Sequence, residues 1–213
     1  MNLFFLRVLL FSFILNTFSQ KESVSILTND QGIRLIVNGK DFMINGMNWD
    51  YFPIGTNYDY SLWNQTDSFI KLALDSEMSL LKDMGVNSIR VYIGIQPKWI
   101  TYIYENFGIY TMLNHSFGRY GLSINGVWTP ATDYANEHVQ KILIEEATKM
   151  ASTYKNTPGL LLFLLGNENN YGLFWSGAET EDFPDDADQL SLIGDTSGRA
   201  MYALMNKTAL RIK

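Results

Sequence analysis

Residues 160–168 read LLLFLLGNE, and this stretch decides the fold. Six consecutive apolar residues are typical of a strand in a parallel sheet that helices cover on both faces. The helix-breaking sequence Thr157-Pro158-Gly159 comes directly before the run. The stretch therefore predicts a buried strand over residues 160–165, followed by Gly166 and then by polar groups.

Upstream of this strand, helical and strand-like segments alternate. Apolar residues at helical spacing predict three helices between residues 70 and 154, and residues 86–92 and 109–113 are strand-like. A long polar loop is predicted over 115–136, and a fourth helix over 196–213. Alternation of this kind implies right-handed crossovers and a parallel sheet. About four β/α units fit either an open doubly wound sheet or part of an eight-fold barrel.

A hairpin is predicted before these units. Asn38-Gly39 lies between the strand-like runs 33–37 and 41–44, and both turn residues tolerate the positive φ that a tight hairpin needs. Residues 20–32 are predicted to be a polar spacer. Residues 33–213 are then predicted to form one domain.

The first 19 residues carry a single charge, Arg7, and a short apolar run at 8–15, with small residues at Thr17 and Ser19. This pattern predicts a secretory signal peptide, and hence a secreted or periplasmic protein; an uncleaved amino-terminal anchor is the alternative. No later stretch reaches the roughly 20 apolar residues of a membrane span. We therefore expect no stable membrane span after cleavage.

Composition excludes several function classes. The chain has 213 residues and a net charge of −6 without a basic block, which argues against a nucleic-acid partner. Cysteine is absent, so disulfides and thiol catalysis are excluded. The two histidines lie far apart, the acidic stretch 179–188 lacks the pattern of a calcium loop, and no nucleotide-binding motif occurs. We predict no metal and no cofactor.

Polar and aromatic side chains follow every predicted strand, and the carboxyl ends of parallel strands meet at one edge. Aromatic rings stack on sugars, whereas amides, guanidinium and imidazole groups bind hydroxyls, so an oligo- or polysaccharide is the predicted partner. His115 is either a sugar contact or a loop hydrogen-bond partner. Tyr171 and Trp175 either line the site or pack in the core. The set comprises Asn48, Trp49, Arg90, Tyr92, Asn114, His115, Asn167, Glu168, Tyr171 and Trp175.

Glu168 is the candidate acid. It lies just past the six apolar residues, and partial desolvation there is expected to disfavour its charged form, which suits a proton donor. The alternative is that Glu168 only caps the loop that follows.

Three stretches in matching order carry a family resemblance. Residues 164–168 (LLGNE) resemble the fourth-strand signature of glycoside hydrolase clan A, the retaining (β/α)₈ TIM-barrel glycosidases. Residues 42–48 (FMINGMN) and 82–90 (KDMGVNSIR) resemble the first strand and a helix-to-strand passage of family 2 barrels and the related beta-1,3-glucanosyltransferases. The resemblance implies the amino-terminal half of such a barrel, incomplete at its carboxyl end and preceded by the hairpin.

The resemblance also implies roles. Glu168 is expected to be the general acid/base, Asn167 to bind the hydroxyl next to the anomeric carbon, and Arg90 to lie beneath the nucleophile; a structural salt bridge is the alternative for Arg90. Clan members take the nucleophile from the seventh strand, so no nucleophile is expected in these four units. The chain is then expected to be a fragment or a truncated relative, and to be inactive alone. The predicted function is a retaining hydrolase of β-linked O-glycosidic bonds. A beta-glucan transglycosylase and a non-catalytic carbohydrate-binding protein remain the alternatives.

Overall fold

The computed structural model describes residues 23–57, 59–92, 94–130, 132–169 and 187–213, and for 187–195 the backbone alone. The predicted signal peptide at 1–19 lies outside these residues. In the described part of the chain, no helix combines the length and apolar character needed to cross a bilayer.

An antiparallel sheet comes first. It contains β1 (Val24–Asn29), β2 (Gly32–Val37) and β3 (Lys40–Asp41), in that order. Asn38 and Gly39 have φ values of 51° and 76°, which confirms the predicted hairpin turn. The polar spacer predicted over 20–32 is wrong at β1, which pairs with β2 along its whole length. Because β1 is largely exposed, no apolar alternation marks it in the sequence.

A parallel sheet and its helices follow, which confirms four β/α units. The strand order along this sheet is the order of the strands in the chain. Its strands are β4 (Gly46–Asn48), β5 (Ser88–Tyr92), β6 (Tyr110–His115) and β9 (Leu160–Leu165). The helices are α1 (Asp67–Asp83), α2 (Pro97–Phe107), α3 (Glu137–Tyr154) and α4 (Ala187–Ile212).

The helix ends follow from local sequence. The Thr66 hydroxyl caps α1 by accepting from the Phe69 N–H, and the Asn136 side chain caps α3 in the same way through His138 and Val139. Pro97 opens α2, and Gly108 closes it with a φ of 71°, a left-handed conformation that glycine adopts at little cost.

The loop predicted over 115–136 is wrong in part, because it contains a hairpin of β7 (Leu122–Ile124) and β8 (Val127–Thr129). Asn125 and Gly126, at φ values of 52° and 80°, make its turn. This is the same Asn-Gly signal that marks the first hairpin, so the sequence did contain the information.

The main core lies between the parallel sheet and the helices α1 and α2. Ile89 and Val91 point into it from β5, whereas Arg90 belongs to the opposite face, as strand alternation predicts. β9 departs from its prediction: only Leu161 is buried and its other residues are half-buried, so the strand is not covered on both faces.

The antiparallel sheet covers the amino ends of the parallel strands. Val37 packs with Tyr110 and Leu161, which begin or lie near the start of β6 and β9, and Phe42 meets Tyr110 edge-on at 5.3 Å between ring centroids. The opposite, carboxyl ends of the strands are thereby left as the edge where the polar residues gather.

Two asparagines join the starts of β4 and β5. The Asn45 side chain donates to the Gly85 carbonyl at 2.7 Å. The Asn87 side chain donates to the Met43 carbonyl at 2.7 Å and accepts from the Asn45 backbone N–H at 2.9 Å. Both asparagines lie within the stretches that carry the family resemblance, so part of that resemblance is structural.

We expect Asn87→Ala to lower the free energy of unfolding by about 1–3 kcal/mol, because it leaves the Met43 carbonyl and the Asn45 N–H without their partner. Urea unfolding followed by circular dichroism measures this. Asn29→Ala is the control, since that side chain only accepts from Gln31 N–H in an exposed turn and its loss should cost far less. Equal midpoints for the two variants would contradict the role of Asn87.

Candidate active site

Arg90 connects two asparagines at the carboxyl edge of the parallel sheet. Its Nη2 donates to Asn114 Oδ1 at 2.6 Å and to Asn167 Oδ1 at 2.8 Å, and its Nε also donates to Asn114. The guanidinium lies over the Tyr92 ring, 5.4 Å from its centroid. The three strands β5, β6 and β9 thus each contribute to one polar cluster, as the sequence predicted. In the described part of the chain Arg90 makes no ion pair, so the salt-bridge alternative is not seen there.

Because Arg90 holds the amide oxygen of Asn167, the amide nitrogen on the other branch of that side chain is directed away from Arg90. A fixed N–H donor of this kind suits a substrate hydroxyl. The orientation of Asn167 therefore follows from a charge-assisted hydrogen bond and not from loose packing.

The loop after β9 is tightly constrained. Gly166 has a φ of 95°, and a Cβ there would collide with the Asn169 side chain and with Met205 Cε, so only glycine fits. Glu168 also has a positive φ of 51°, an uncommon conformation for a non-glycine residue. Such conformations persist where the surroundings enforce them, and they occur often at functional sites.

Asn169 is a buried anchor that no sequence motif marks. Its Oδ1 accepts from the Asn167 backbone N–H at 2.6 Å, and its Nδ2 lies within hydrogen-bond distance of the Ser116 and Phe117 carbonyls and of the Tyr134 hydroxyl. Asparagine after a strand is common in loops, so no sequence signal distinguishes it. Its contacts join the loop after β9 to the loop after β6.

The environment of Glu168 differs from its prediction. The side chain is 57% exposed, so the expected partial desolvation is not found. Its Oε2 instead accepts from Arg119 Nη2 at 2.5 Å. The backbone at Glu168 is left-handed, and the side chain reaches the loop after β6, where Arg119 lies.

Two of the predicted contacts lie exposed at the same edge. Asn48 ends β4 and pairs in register with Arg90, and Tyr92 ends β5 in register with Asn114. Both are accessible, so they remain predicted sugar contacts. Tyr171 and Trp175 lie outside the described residues.

Trp49 and His115 are buried, which corrects their predicted roles as sugar contacts. Trp49 is 6% exposed and packs edge-on against Trp63 in the main core. His115 is 4% exposed, its Nδ1 accepts from the Phe117 N–H at 3.0 Å, and its Nε2 lies 3.6 Å from Glu146. For His115 the structure supports the loop hydrogen bond, the alternative that the sequence left open.

Burial lowers the pKa of His115 below its ordinary value of 6.5. Below pH 6.5 the unfolded chain therefore binds a proton that the native state does not, and the free energy of unfolding should fall as the pH drops, by at most about 1.4 kcal/mol per unit. Burial also raises the pKa of the neighbouring Glu146.

We expect His115→Asn, which keeps an acceptor for the Phe117 N–H, to flatten this pH dependence in urea titrations between pH 5 and 7. His138→Gln, which removes the exposed histidine of α3, is the matched control. An unchanged slope in His115→Asn would contradict a buried neutral His115.

The cluster therefore contains one carboxylate, one guanidinium held by amides, an oriented amide donor and an exposed aromatic ring. Within the described residues no group of three or more His, Cys, Asp or Glu side chains is placed to hold a metal ion. A carboxyl group beside hydroxyl-binding amides suits proton transfer to and from an oxygen of a bound sugar.

One protein family matches the part of the chain that contains the parallel sheet. Residues 29–181 match the family described as "Glycosyl hydrolases family 2, TIM barrel domain". The matched range contains the parallel strands β4, β5, β6 and β9 together with the polar cluster at their carboxyl ends.

Relatives match over part of their length. The probable 1,3-beta-glucanosyltransferase GAS3 of Saccharomyces cerevisiae is 30% identical over 138 residues, which cover 60% of this chain and 23% of that protein. A beta-galactosidase of Lactococcus lactis subsp. lactis is 24% identical over 141 residues, covering 65% and 12%. A solved beta-glucuronidase of Parabacteroides merdae has 19% identity and a TM-score of 0.47, covering 85% and 19%. The chain thus spans less than a quarter of the length of these relatives.

Proposed function

The chain belongs to the glycosyl hydrolase family 2 TIM-barrel family, and from this premise we propose that the protein is a retaining glycosidase of β-linked O-glycosidic bonds with Glu168 as its general acid/base. The observation that carries the proposal is the pair Asn167-Glu168 at the end of β9, where Arg90 fixes the amide and Arg119 fixes the carboxylate. Proton donor and hydroxyl binder thus lie on adjacent residues.

In the first step, Glu168 protonates the glycosidic oxygen as the bond to the leaving sugar breaks, and a second carboxylate forms a covalent bond to the anomeric carbon. In the second step, Glu168 takes a proton from the incoming water as that water displaces the second carboxylate from the anomeric carbon. Asn167 donates to the hydroxyl next to the anomeric carbon, a contact that strengthens as positive charge develops on the sugar ring. Asn48 and Tyr92 lie at the same edge and contribute further contacts to the sugar.

A retaining mechanism needs a second carboxylate about 5–5.5 Å from the first. We propose that it comes from another part of the barrel and lies near Arg90. Arg90 would then donate a charge-assisted hydrogen bond to that carboxylate, as it does to the side chains of Asn114 and Asn167. The chain described here then contributes the acid/base and the binding amides.

Transglycosylation is the second candidate, and the relative that is 30% identical, a probable 1,3-beta-glucanosyltransferase, favours it. Both reactions use the same acid/base, and they differ in whether water or a sugar hydroxyl accepts the glycosyl group. Incubating the complete protein with a beta-1,3-glucan oligosaccharide separates them: products longer than the substrate indicate transfer, and only shorter products indicate hydrolysis.

A panel of aryl β-glycosides and β-linked oligosaccharides, assayed with the complete protein, tests the activity itself. We expect release of the aglycone from at least one of them and loss of that activity in Glu168→Gln. Binding of oligosaccharides without any turnover would contradict the proposal and support the non-catalytic alternative.

We also propose that the protein is exported to the secreted or periplasmic space. Amino-terminal sequencing of the mature protein tests this by showing whether residues 1–19 are removed.

A further inference from the structure

Arg119 contacts the candidate acid, although no sequence motif marks it. It lies between β6 and β7, and its Nη2 is 2.5 Å from Glu168 Oε2. The Arg119 side chain is only 11% exposed, in contrast to that of Glu168, and its guanidinium lies 4.5 Å from the centroid of the Tyr120 ring. The Tyr120 ring and the low exposure of the side chain thus hold the arginine in place.

The turn that carries Arg119 is itself fixed. The Arg119 N–H donates to the Ser116 carbonyl at 3.2 Å, and the Gly121 N–H donates to the Gly118 carbonyl at 3.1 Å. The Thr132 hydroxyl also donates to that Gly118 carbonyl. A Cβ on Gly121 would collide with backbone atoms of Thr129 and Pro130, so the turn packs closely against the end of β8 and the residue that follows it.

The Asn169 side chain connects the two segments that carry Arg119 and Glu168. Asn169 donates to the carbonyl of Phe117, two residues before Arg119, and accepts from the N–H of Asn167, the residue before Glu168. Hydrogen bonds of this one side chain therefore join the loop that carries the acid to the turn that carries the arginine. Ordinary surface ion pairs contribute little because two mobile side chains must be ordered, whereas here one partner, Arg119, is 11% exposed and already packed.

We infer that Arg119 is a positioning residue for Glu168: by binding one carboxylate oxygen it orients the other toward the glycosidic oxygen of the substrate. The inference rests on the proposed function of Glu168. The planar guanidinium defines a direction as well as a charge, so lysine replaces it only in part. Because Arg119 acts through the carboxylate, its loss should affect only the reaction steps in which Glu168 gives or takes a proton.

Two substrates of the same sugar separate positioning from general structural damage. An oligosaccharide loses an alkoxide that must be protonated, whereas a dinitrophenyl β-glycoside loses an anion that needs no proton. For Arg119→Ala in the complete protein we expect kcat/KM to fall by about 10- to 100-fold on the oligosaccharide, since small misplacements of a catalytic group have effects of this size. On the dinitrophenyl glycoside we expect the kcat/KM of Arg119→Ala to change by less than about 3-fold. In Arg119→Lys we expect kcat/KM on the oligosaccharide to recover in part.

A double-mutant cycle completes the test. In a Glu168→Gln background, Arg119→Ala should have almost no further effect, since residues that act as a unit are not additive. Arg34→Gln is the matched control: Arg34 pairs with Asp41 at 2.7 Å in the antiparallel sheet, and its loss should leave both substrates unaffected. Circular dichroism melting curves confirm that each variant is folded, and Arg119→Lys serves in place of an alanine variant that does not fold.

The outcomes distinguish this inference from the proposed function. A loss in Glu168→Gln without any loss in Arg119→Ala or Arg119→Lys overturns the role of Arg119 alone. Equal losses of Arg119→Ala on both substrates, or a full additional loss in the Glu168→Gln background, also overturn it, because they indicate a structural role. Unchanged oligosaccharide turnover in Glu168→Gln overturns the proposed function and, with it, the inference.

Discussion

Glu168→Gln should lower kcat on a β-linked oligosaccharide by about 10²–10⁴ in the complete protein, which is the usual contribution of general acid/base catalysis. Glutamine keeps the size of the side chain and a hydrogen-bond acceptor for Arg119, so the loop after β9 should keep its conformation. What it loses is the exchangeable proton. Steady-state kinetics on the oligosaccharide measures the effect.

The matched control for this substitution is Glu145→Gln. Glu145 is an exposed carboxylate on α3, with Lys141 at 3.9 Å as its partner, and its replacement should leave turnover unchanged. If Glu168→Gln behaves like this control, Glu168 is not the acid/base and only caps its loop.

Asn167→Ala should have the second largest effect, a loss of about 10²–10³ in kcat, comparable to the removal of one donor from a preorganised site. Arg90 fixes the amide oxygen of Asn167, so the amide nitrogen is already oriented when substrate binds. Because the hydrogen bond to the sugar strengthens in the transition state, kcat and kcat/KM should fall together while KM changes little.

A substrate that lacks the hydroxyl next to the anomeric carbon gives an internal control for Asn167. The wild-type protein should process this deoxy substrate slowly, and Asn167→Ala should reduce its rate hardly any further. Asn106→Ala, on the exposed side of α2, should leave both substrates unaffected; the Asn106 side chain only donates to the Tyr102 carbonyl. A rise in KM without a fall in kcat would contradict the role given to Asn167.

The sequence predicted the elements with strong local signals. Pro97 and Gly108 mark the two ends of α2, and Asn38-Gly39 marks the first hairpin turn. The apolar run of β9 gave the position of Asn167 and Glu168, and alternation along β5 placed Arg90 on the face opposite the helices. Each of these signals arises from a residue's own backbone preference, from a run of apolar residues, or from the alternation of side chains between the two faces of a strand.

Contacts between distant segments could not be predicted. Arg119 lies 49 residues from Glu168 and meets it because β6 pairs with β9 and Asn169 joins the loops that follow these strands. Trp49 and His115 do lie at strand ends, as predicted. Trp49 is buried against Trp63, and His115 is buried beside the loop at Phe117; no local sequence pattern indicates either contact. Glu168 is exposed and has a left-handed backbone, which its local sequence does not require.

Azide rescue of Glu168→Ala tests most directly whether Glu168 is the acid/base. On a dinitrophenyl β-glycoside the first step needs no proton, so this variant should form the glycosyl-enzyme and then stall, because no base activates water. Azide needs no base and is small enough for the space that the carboxylate leaves. We expect added azide to raise kcat by about 10-fold or more and to yield the β-glycosyl azide. A kcat that does not respond to azide, with no glycosyl azide formed, would contradict the assignment of Glu168.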